Sequence, residues 1–322
     1  MPTRHLAFGV ILSTLVACGA PPRAAPCFAV HTGPELRSSD ASKTLDELAR
    51  DIRLPPEDEA LRNPRSIADV RAILRRDTIY FFGNAAAFAR TLKTLEGRRA
   101  EASLELFLGE SQLVASQILT TQAAWVGGNL RIARASLASE GTTPSTDRAR
   151  MLSQLIRAVE EGNKIADALG IAAPAHVARG AEVIRGLRAE APEDPRTSLL
   201  VAEYHRLRGE WPEFDLAMKT AERTDRTQRP LCYLRAMEQL ERFRRPDLGA
   251  RMLRDCLGKY PKFVRAQAAL VLMATHPRAA SRELGKLKEM NEDHYLVMLL
   301  EPTIAADQEL QRMQDGTAPD AP

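Results

Sequence analysis

Apolar side chains recur every three or four residues along most of this chain. The first clear run follows Ser66, with apolar residues at 67, 70, 73 and 74, and similar runs cover 79–95 and 100–137. This period places the apolar residues on one face of an amphipathic helix, and serine is a residue type that caps helix N-termini. The pattern therefore predicts an all-α fold.

Glycine and proline divide this pattern into separate helices. A loop is predicted at 141–145, and Gly127-Gly128 is a candidate site for a break or kink in the long helix before it. One helix is predicted over 147–169 and a second over 174–191, because proline favours the first turn of a helix. The abundance of alanine, leucine, arginine and glutamate, with only 5% aromatic residues, also favours helices.

The C-terminal half contains three predicted helix pairs of similar length. They cover 195–224, 231–259 and 263–290. Pro192 and Pro261 each close a predicted helix and lie 69 residues apart, which is close to two periods of about 34 residues. Such spacing is typical of stacked helical hairpins.

These pairs resemble tetratricopeptide repeats. Gly209 stands where that family places its turn glycine, Ala221 and Ala250 stand at small packing positions, and Pro261 stands at the closing proline. The tryptophan and glycine-tyrosine marks of the first helix are largely missing, and two of those positions hold Ser198 and Ala202. The resemblance implies a solenoid of helical hairpins, and an irregular helical bundle is the alternative.

The predicted organisation has five parts. Residues 66–191 form divergent helical hairpins, 192–312 form the tetratricopeptide-like repeats, and 313–322 form a polar tail. The two remaining parts, 1–17 and 18–65, precede the helices. Stacked hairpins of this kind bury one face of each pair and leave an extended surface for binding.

The first seventeen residues have the layout of an export signal. Arg4 supplies a positive charge, and 6–17 form an uncharged apolar run of 12 residues, shorter than the roughly 20 that span a membrane. The run ends in Leu15-Val16-Ala17-Cys18-Gly19, which resembles the lipobox of bacterial lipoproteins. The resemblance implies that 1–17 is a signal peptide and that Cys18 becomes the lipidated first residue. An ordinary signal peptide with a chance cysteine is the alternative.

The lipid anchor determines the expected location of the chain. A two- or three-chain anchor holds firmly, because each buried methylene contributes about 0.8 kcal/mol. By resemblance to enterobacterial sorting, Gly19 after the cysteine favours the periplasmic face of the outer membrane in a bacterium with two membranes. The proline-rich segment 18–65 is predicted to be a loosely ordered tether that lifts the helices off the membrane.

Two cysteines of the predicted repeats form a candidate disulfide. Cys232 lies at the start of one predicted helix and Cys256 near the end of its antiparallel partner, so the two ends are neighbours in a hairpin. An exported protein folds in an oxidising compartment, where disulfides persist. The alternative is two buried thiols, which are common in helices. Cys27 lies in the tether and is left over from this pairing.

The sequence contains no pattern that predicts a catalytic centre, a metal site or a cofactor site. No two histidines have the spacing of metal ligands on a helix, and no glycine-rich phosphate loop is present. The adjacent pair Asp293-His294 is interpreted as a solvated helix start, since neighbouring helical side chains point apart. The 45 basic and 42 acidic residues are interspersed and give no argument for nucleic-acid binding.

These features predict a membrane-anchored, non-catalytic interaction scaffold in the bacterial cell envelope. Its partner is expected to be another envelope protein or peptide in the groove of the solenoid, and the lipid provides the membrane contact. The alternative is an accessory lipoprotein of a periplasmic solute transport system. The combination of a lipid anchor with divergent helical repeats resembles the T component of tripartite ATP-independent periplasmic transporters.

Overall fold

The computed structural model describes residues 59–139, 146–192, 194–224, 229–274 and 277–301. Within these ranges the secondary structure is helical and contains no strand, which confirms the all-α prediction. The predicted signal peptide, Cys18, almost all of the tether and the polar tail lie outside the described residues. The helices are α1 (Glu59–Arg62), α2 (Ile67–Arg76), α3 (Phe82–Thr91), α4 (Leu95–Ser139), α5 (Thr146–Glu190), α6 (Pro195–Arg208), α7 (Trp211–Thr224), α8 (Arg229–Glu241), α9 (Pro246–Lys259), α10 (Val264–Met273) and α11 (Pro277–Met290). A short 3-10 turn, Ile79–Phe81, precedes α3, and 295–301 form a last helical segment.

Helix α2 begins at the predicted cap. The Ser66 hydroxyl accepts a hydrogen bond from the Asp69 backbone N–H at 3.2 Å, and the Asp69 carboxylate accepts one from the Ser66 N–H at 2.9 Å. This reciprocal pair is a capping box, which satisfies two backbone donors that a helix N-terminus otherwise leaves without a partner. Helix α2 ends at Asp77, which adopts the left-handed conformation with φ of 52°.

Helices α4 and α5 form a hairpin of two 45-residue helices, each about 65 Å long. Helix α4 runs through Gly127-Gly128 without a break. Helix α5 is also continuous, with Pro174 in its interior, so the prediction of two helices over 147–169 and 174–191 is wrong.

Packing against α4 explains why α5 continues past its proline. The buried side of α5 includes Ala173 before the proline and Ile184 after it, while Pro174 itself is exposed. A Cβ atom added at Gly109 of α4 would lie 3.0 Å from the Ala173 carbonyl oxygen, so the two backbones approach closely. This packing on both sides of the proline offsets the roughly 3 kcal/mol by which proline disfavours a helix interior.

The C-terminal half consists of three hairpins, α6/α7, α8/α9 and α10/α11. Their first helices begin at 195, 229 and 264, which are 34 and 35 residues apart. Helix α6 ends at Gly209, whose φ of 68° is a conformation that glycine adopts without steric cost. The structure therefore has a helix pair over each of the three segments where the sequence pattern predicts one.

The C-terminal residues return to the N-terminal helices. The Asn291 side chain donates to the Arg76 carbonyl at 2.8 Å, and the Gln122 side chain of α4 donates to the Leu299 carbonyl at 3.0 Å. One apolar cluster accordingly joins α2, α3 and α4 to α10, α11 and the last helical segment. A second cluster joins α4 and α5 to the helices from α6 to α10. Both clusters draw residues from each side of the boundary between 191 and 192.

Candidate binding site

Five charged side chains meet where α4, α6, α8 and α10 come together. We call them the central ionic cluster, and its members are Glu110, Glu203, Arg206, Glu241 and Arg265. Only 1% of the Arg206 side chain is exposed. Its guanidinium donates to Glu241 at 2.5 Å, to Glu203 at 3.1 Å and also to Glu110. The cluster therefore forms only when separate helices have assembled.

The second arginine of the cluster, Arg265, lies between two aromatic rings. Its guanidinium carbon is 3.3 Å from the ring centroid of Phe107 and 4.8 Å from that of Tyr233. The same group donates to Glu203 at 2.6 Å and also to Glu110. Cation–π contacts and charge-assisted hydrogen bonds are strongest where water is excluded, so these partners fix the guanidinium in one orientation.

The charges within the cluster do not balance, because two arginines face three glutamates. Burial opposes ionisation of Glu110, but the guanidinium groups of Arg206 and Arg265 outweigh it and lower the pKa of Glu110 to about 2. Burial raises the pKa of Glu241 to about 7; Arg206 opposes this rise, and the charges of Glu110 and Glu203 support it. Glu241 is therefore the carboxyl of this cluster that takes up a proton near neutral pH.

Replacing Glu241 by glutamine should change how stability depends on pH. The pKa of Glu241 rises from 4.5 to about 7 on folding. The folded state then binds more protons than the unfolded state between these values, and stability falls as the pH rises through this window. Because 27% of the side chain is exposed, we expect a reduced effect of about 1–2 kcal/mol. Urea denaturation at several pH values measures this effect. Between about pH 5 and pH 8, the free energy of unfolding of the Glu241→Gln chain should rise by this amount relative to that of the native chain.

The matched control for this titration is Glu213→Gln. Glu213 is exposed on α7 and lies outside the cluster. Its replacement should leave the difference from the native chain constant across the same pH range. A constant difference for Glu241→Gln as well would contradict a neutral-pH titration at Glu241.

A cavity of about 380 Å³ lies beside the cluster, within the volume range of small-molecule sites. We call it the arginine-lined cavity, because five arginines line it: Arg71, Arg75, Arg99, Arg196 and Arg265. Two carboxylates, Glu96 and Glu203, also line it. Its apolar wall consists of Leu74, Ala100, Phe107, Leu199, Leu200, Leu234 and Phe263, with Ser103, Pro230 and Tyr233 completing the lining. The cavity therefore combines an apolar wall with an excess of positive charge.

A second, larger opening lies between α4, α5 and α6 and has a volume of about 580 Å³. We call it the α4–α5–α6 groove. Its charged residues are two acids and two bases: Glu110, Glu182, Arg185 and Arg208. The other lining residues are small, apolar or aromatic: Gly109, Leu113, Ala173, Pro174, Val177, Ala178, Ala181, Tyr204 and Leu207. A third cavity of about 100 Å³ is lined by Glu110 and Glu241 together with Asp77 and Tyr295, among other residues.

The site residues that the sequence predicted are three cysteines: Cys18, Cys232 and Cys256. Cys18 is outside the described residues. Cys232 and Cys256 are brought together across the α8/α9 hairpin, with Cα atoms 5.7 Å apart and sulfur atoms within bonding distance. Neither cysteine lines the arginine-lined cavity or the groove. The disulfide itself stays a prediction.

His294 does lie directly before a helix start, at 295, but the prediction that it is solvated there is wrong. His294 is buried, and its Nε2 lies 3.2 Å from the Asp77 carboxylate at the end of α2. The Leu296 backbone N–H donates to Nδ1 at 3.2 Å, which leaves Nε2 to carry the proton and donate to Asp77. The histidine therefore joins the C-terminal segment to α2.

Sequence reasoning missed the central ionic cluster. One local signal pointed to it: Glu203 and Arg206 stand three residues apart on the face of α6 that also carries Leu199 and Ala202. A pair of opposite charges within an apolar face indicates buried, mutually paired side chains. The other two carboxylates and the second arginine come from other helices, and nothing near them in the sequence identifies them.

Comparisons of the chain with protein-family models, with curated proteins and with solved structures gave no match. Across the described ranges, no helix has both the length and the apolar character needed to cross a membrane. In that same part of the chain, no group of three or more histidine, cysteine, aspartate or glutamate residues is arranged to hold a metal ion. Function must therefore be argued from the chemistry of the openings themselves.

Proposed function

We propose that this chain is a lipid-anchored, non-catalytic binding protein that holds a partner protein in the bacterial cell envelope. The Leu15-Val16-Ala17-Cys18-Gly19 sequence supports the anchor, through its resemblance to a lipobox. The starts of α6, α8 and α10, 34 and 35 residues apart, support a divergent tetratricopeptide-like solenoid. Repeat proteins of this architecture present extended surfaces to other proteins.

The observation that carries this proposal is the α4–α5–α6 groove. Side chains of α6 and α10 that face inward already contact Glu110 of α4, so that face of the hairpins is covered by the chain itself. The groove, in contrast, is open and mainly apolar, and 45% of Leu113 beside it is exposed. An apolar groove between helices, with charges of both signs at its edge, is the kind of surface that receives an amphipathic helix of another protein.

A charged substitution in the groove tests this function. We expect Leu113→Glu to abolish capture of the partner from solubilised envelopes, because a carboxylate in the groove leaves a charge desolvated against the apolar helix. Leu216→Glu is the matched control, since Leu216 is an exposed leucine on α7 that does not line the groove. Quantitative mass spectrometry of the two pull-downs, with the native chain beside them, measures the effect.

Two results would count against a partner in the groove. One is an equal yield of partner from the Leu113→Glu and Leu216→Glu chains. The other is recovery of no protein above a Cys18→Ala control that lacks the predicted lipid. The first result would mean that the partner binds another surface of the chain. The second would contradict the membrane-scaffold function.

A second candidate function is that of an accessory lipoprotein in periplasmic solute transport. The arginine-lined cavity favours it, because its volume of about 380 Å³ and its excess of positive charge suit a small anionic solute. The same pull-down separates the two functions: the transport role requires a permease or its solute-binding protein among the captured proteins. A scaffold captures an envelope protein without solute specificity.

A further inference from the structure

We infer that the arginine-lined cavity binds a small organic anion with an apolar body, its head group a carboxylate or phosphate. The cavity and the α4–α5–α6 groove share no lining residue, so this site is independent of the partner-protein proposal. It would also supply the solute class for the second candidate function.

The charge excess of the cavity points to an anion. Five arginines and two glutamates line it, whereas the groove has two acids and two bases. The guanidinium group carries its charge at any ordinary pH and presents a planar fork that matches carboxylate and phosphate oxygens. A concave site lined by one sign of charge and low-dielectric walls attracts ligands of the opposite sign.

Protein carboxylates satisfy only part of this positive charge. Glu96 is shared by Arg71 at 2.6 Å and Arg196 at 3.6 Å. Glu203 is shared by Arg265 and the buried Arg206 of the ionic cluster. Each carboxylate that lines the cavity is thus divided between two guanidinium groups.

Two arginines of the cavity are not fully paired with protein groups. The Arg75 side chain makes no ion pair or hydrogen bond within the part of the chain that the structure describes, so its guanidinium group is available to a ligand. Arg99 pairs with Asp194 at 2.9 Å, but its Nε is buried and has no acceptor among the described residues. A buried donor without an acceptor costs roughly 1–3 kcal/mol, so the positive charge of Arg99 is only partly compensated beside the cavity.

The apolar part of the lining selects an apolar body. Phe107, Leu199 and Leu234 line the cavity and also belong to, or pack against, the apolar clusters of the helices. Transfer of each ligand methylene from water onto such a surface contributes about 0.8 kcal/mol. A small hydrophilic anion gains nothing from this wall, so the site favours an amphipathic one.

Four simple probes test the ligand class by isothermal titration calorimetry. The protein is the full-length chain with Cys18→Ala, which removes the predicted lipid and hence the need for detergent. Octanoate and octyl phosphate should bind one to one, and the tighter of the two identifies the preferred head group. Octanol lacks the charge and acetate lacks the apolar body, so each should bind at least tenfold more weakly. Equal binding of octanol and octanoate, equal binding of acetate and octanoate, or no binding of either octyl anion would overturn the proposal.

Charge reversal locates the site. Arg75→Glu should weaken octanoate binding roughly tenfold or more, because it replaces an attractive contact by a repulsive one at the cavity edge. Arg75 is exposed and makes no ion pair among the described residues, so the thermal unfolding of this variant should match that of the native chain. Arg251→Glu, on the exposed face of α9 and away from the cavity, is the matched control and should bind octanoate as the native chain does. Equal affinities of the two variants would place the anion elsewhere and overturn the assignment.

Discussion

Replacing Arg206 by alanine should lower the free energy of unfolding by about 3–5 kcal/mol. Arg206 is buried and donates to three glutamates from three helices, two of which it shares with Arg265. Its removal leaves one guanidinium group to balance Glu110 and Glu203, in a region from which water is excluded. Urea denaturation followed by circular dichroism measures the loss.

Arg208→Ala is the matched control for this result. Arg208 lies two residues further along the same helix and pairs with Glu210 at 2.6 Å, but 53% of its side chain is exposed. Exposed ion pairs contribute about 0–1 kcal/mol, so this variant should remain close to the native chain. If Arg206→Ala lowered the free energy of unfolding no more than Arg208→Ala does, the ionic cluster would not be a major contributor to stability.

Removing the Cys232–Cys256 pair by Cys232→Ser with Cys256→Ser should lower the free energy of unfolding by about 3 kcal/mol in the oxidised protein. The two cysteines are 24 residues apart, and a bond between them restricts the unfolded chain by closing this loop. Cys256 is also buried in the apolar cluster of the hairpins, so the bond holds the end of α9 against the start of α8. Chemical denaturation with and without reductant measures the contribution.

The leftover cysteine of the tether supplies the control for the disulfide. Cys27→Ser should leave the unfolding free energy unchanged, since the sequence assigns Cys27 no partner in the helical body. Peptide mapping without reductant should recover the 232–256 pair as one linked species. Free thiols at both positions in protein isolated from the envelope would contradict the bond and the oxidising compartment together.

The ionic cluster and the arginine-lined cavity are parts of one arrangement. Glu203 and Arg265 belong to the cluster and also line the cavity, and Phe107 stacks on Arg265 from the cavity wall. Aromatic rings and carboxylates hold the Arg265 guanidinium in place at the cavity lining. Preorganised donors of this kind lose little entropy when a ligand binds.

Local signals in the sequence determined where most helices begin and end. Ser66 caps α2 as predicted, Gly209 ends α6, and the helix starts near 195, 229 and 264 follow the predicted helix pairs. These features depend on hydrogen bonds and backbone angles within a few residues, so a single sequence contains the information. The all-α character follows for the same reason.

Tertiary structure alone decided what happens at Pro174, at His294 and in the ionic cluster. Helix α5 continues past Pro174 while it packs against α4, and His294 is buried where it donates a hydrogen bond to Asp77, 217 residues away. Glu110 and Arg265 are 155 residues apart and become partners only in the folded chain. A charged side chain is rarely buried without a partner of opposite charge. Because that partner is distant in the sequence, sequence analysis assigns such a residue to the surface. The binding openings arise from such long-range contacts, which no local pattern records.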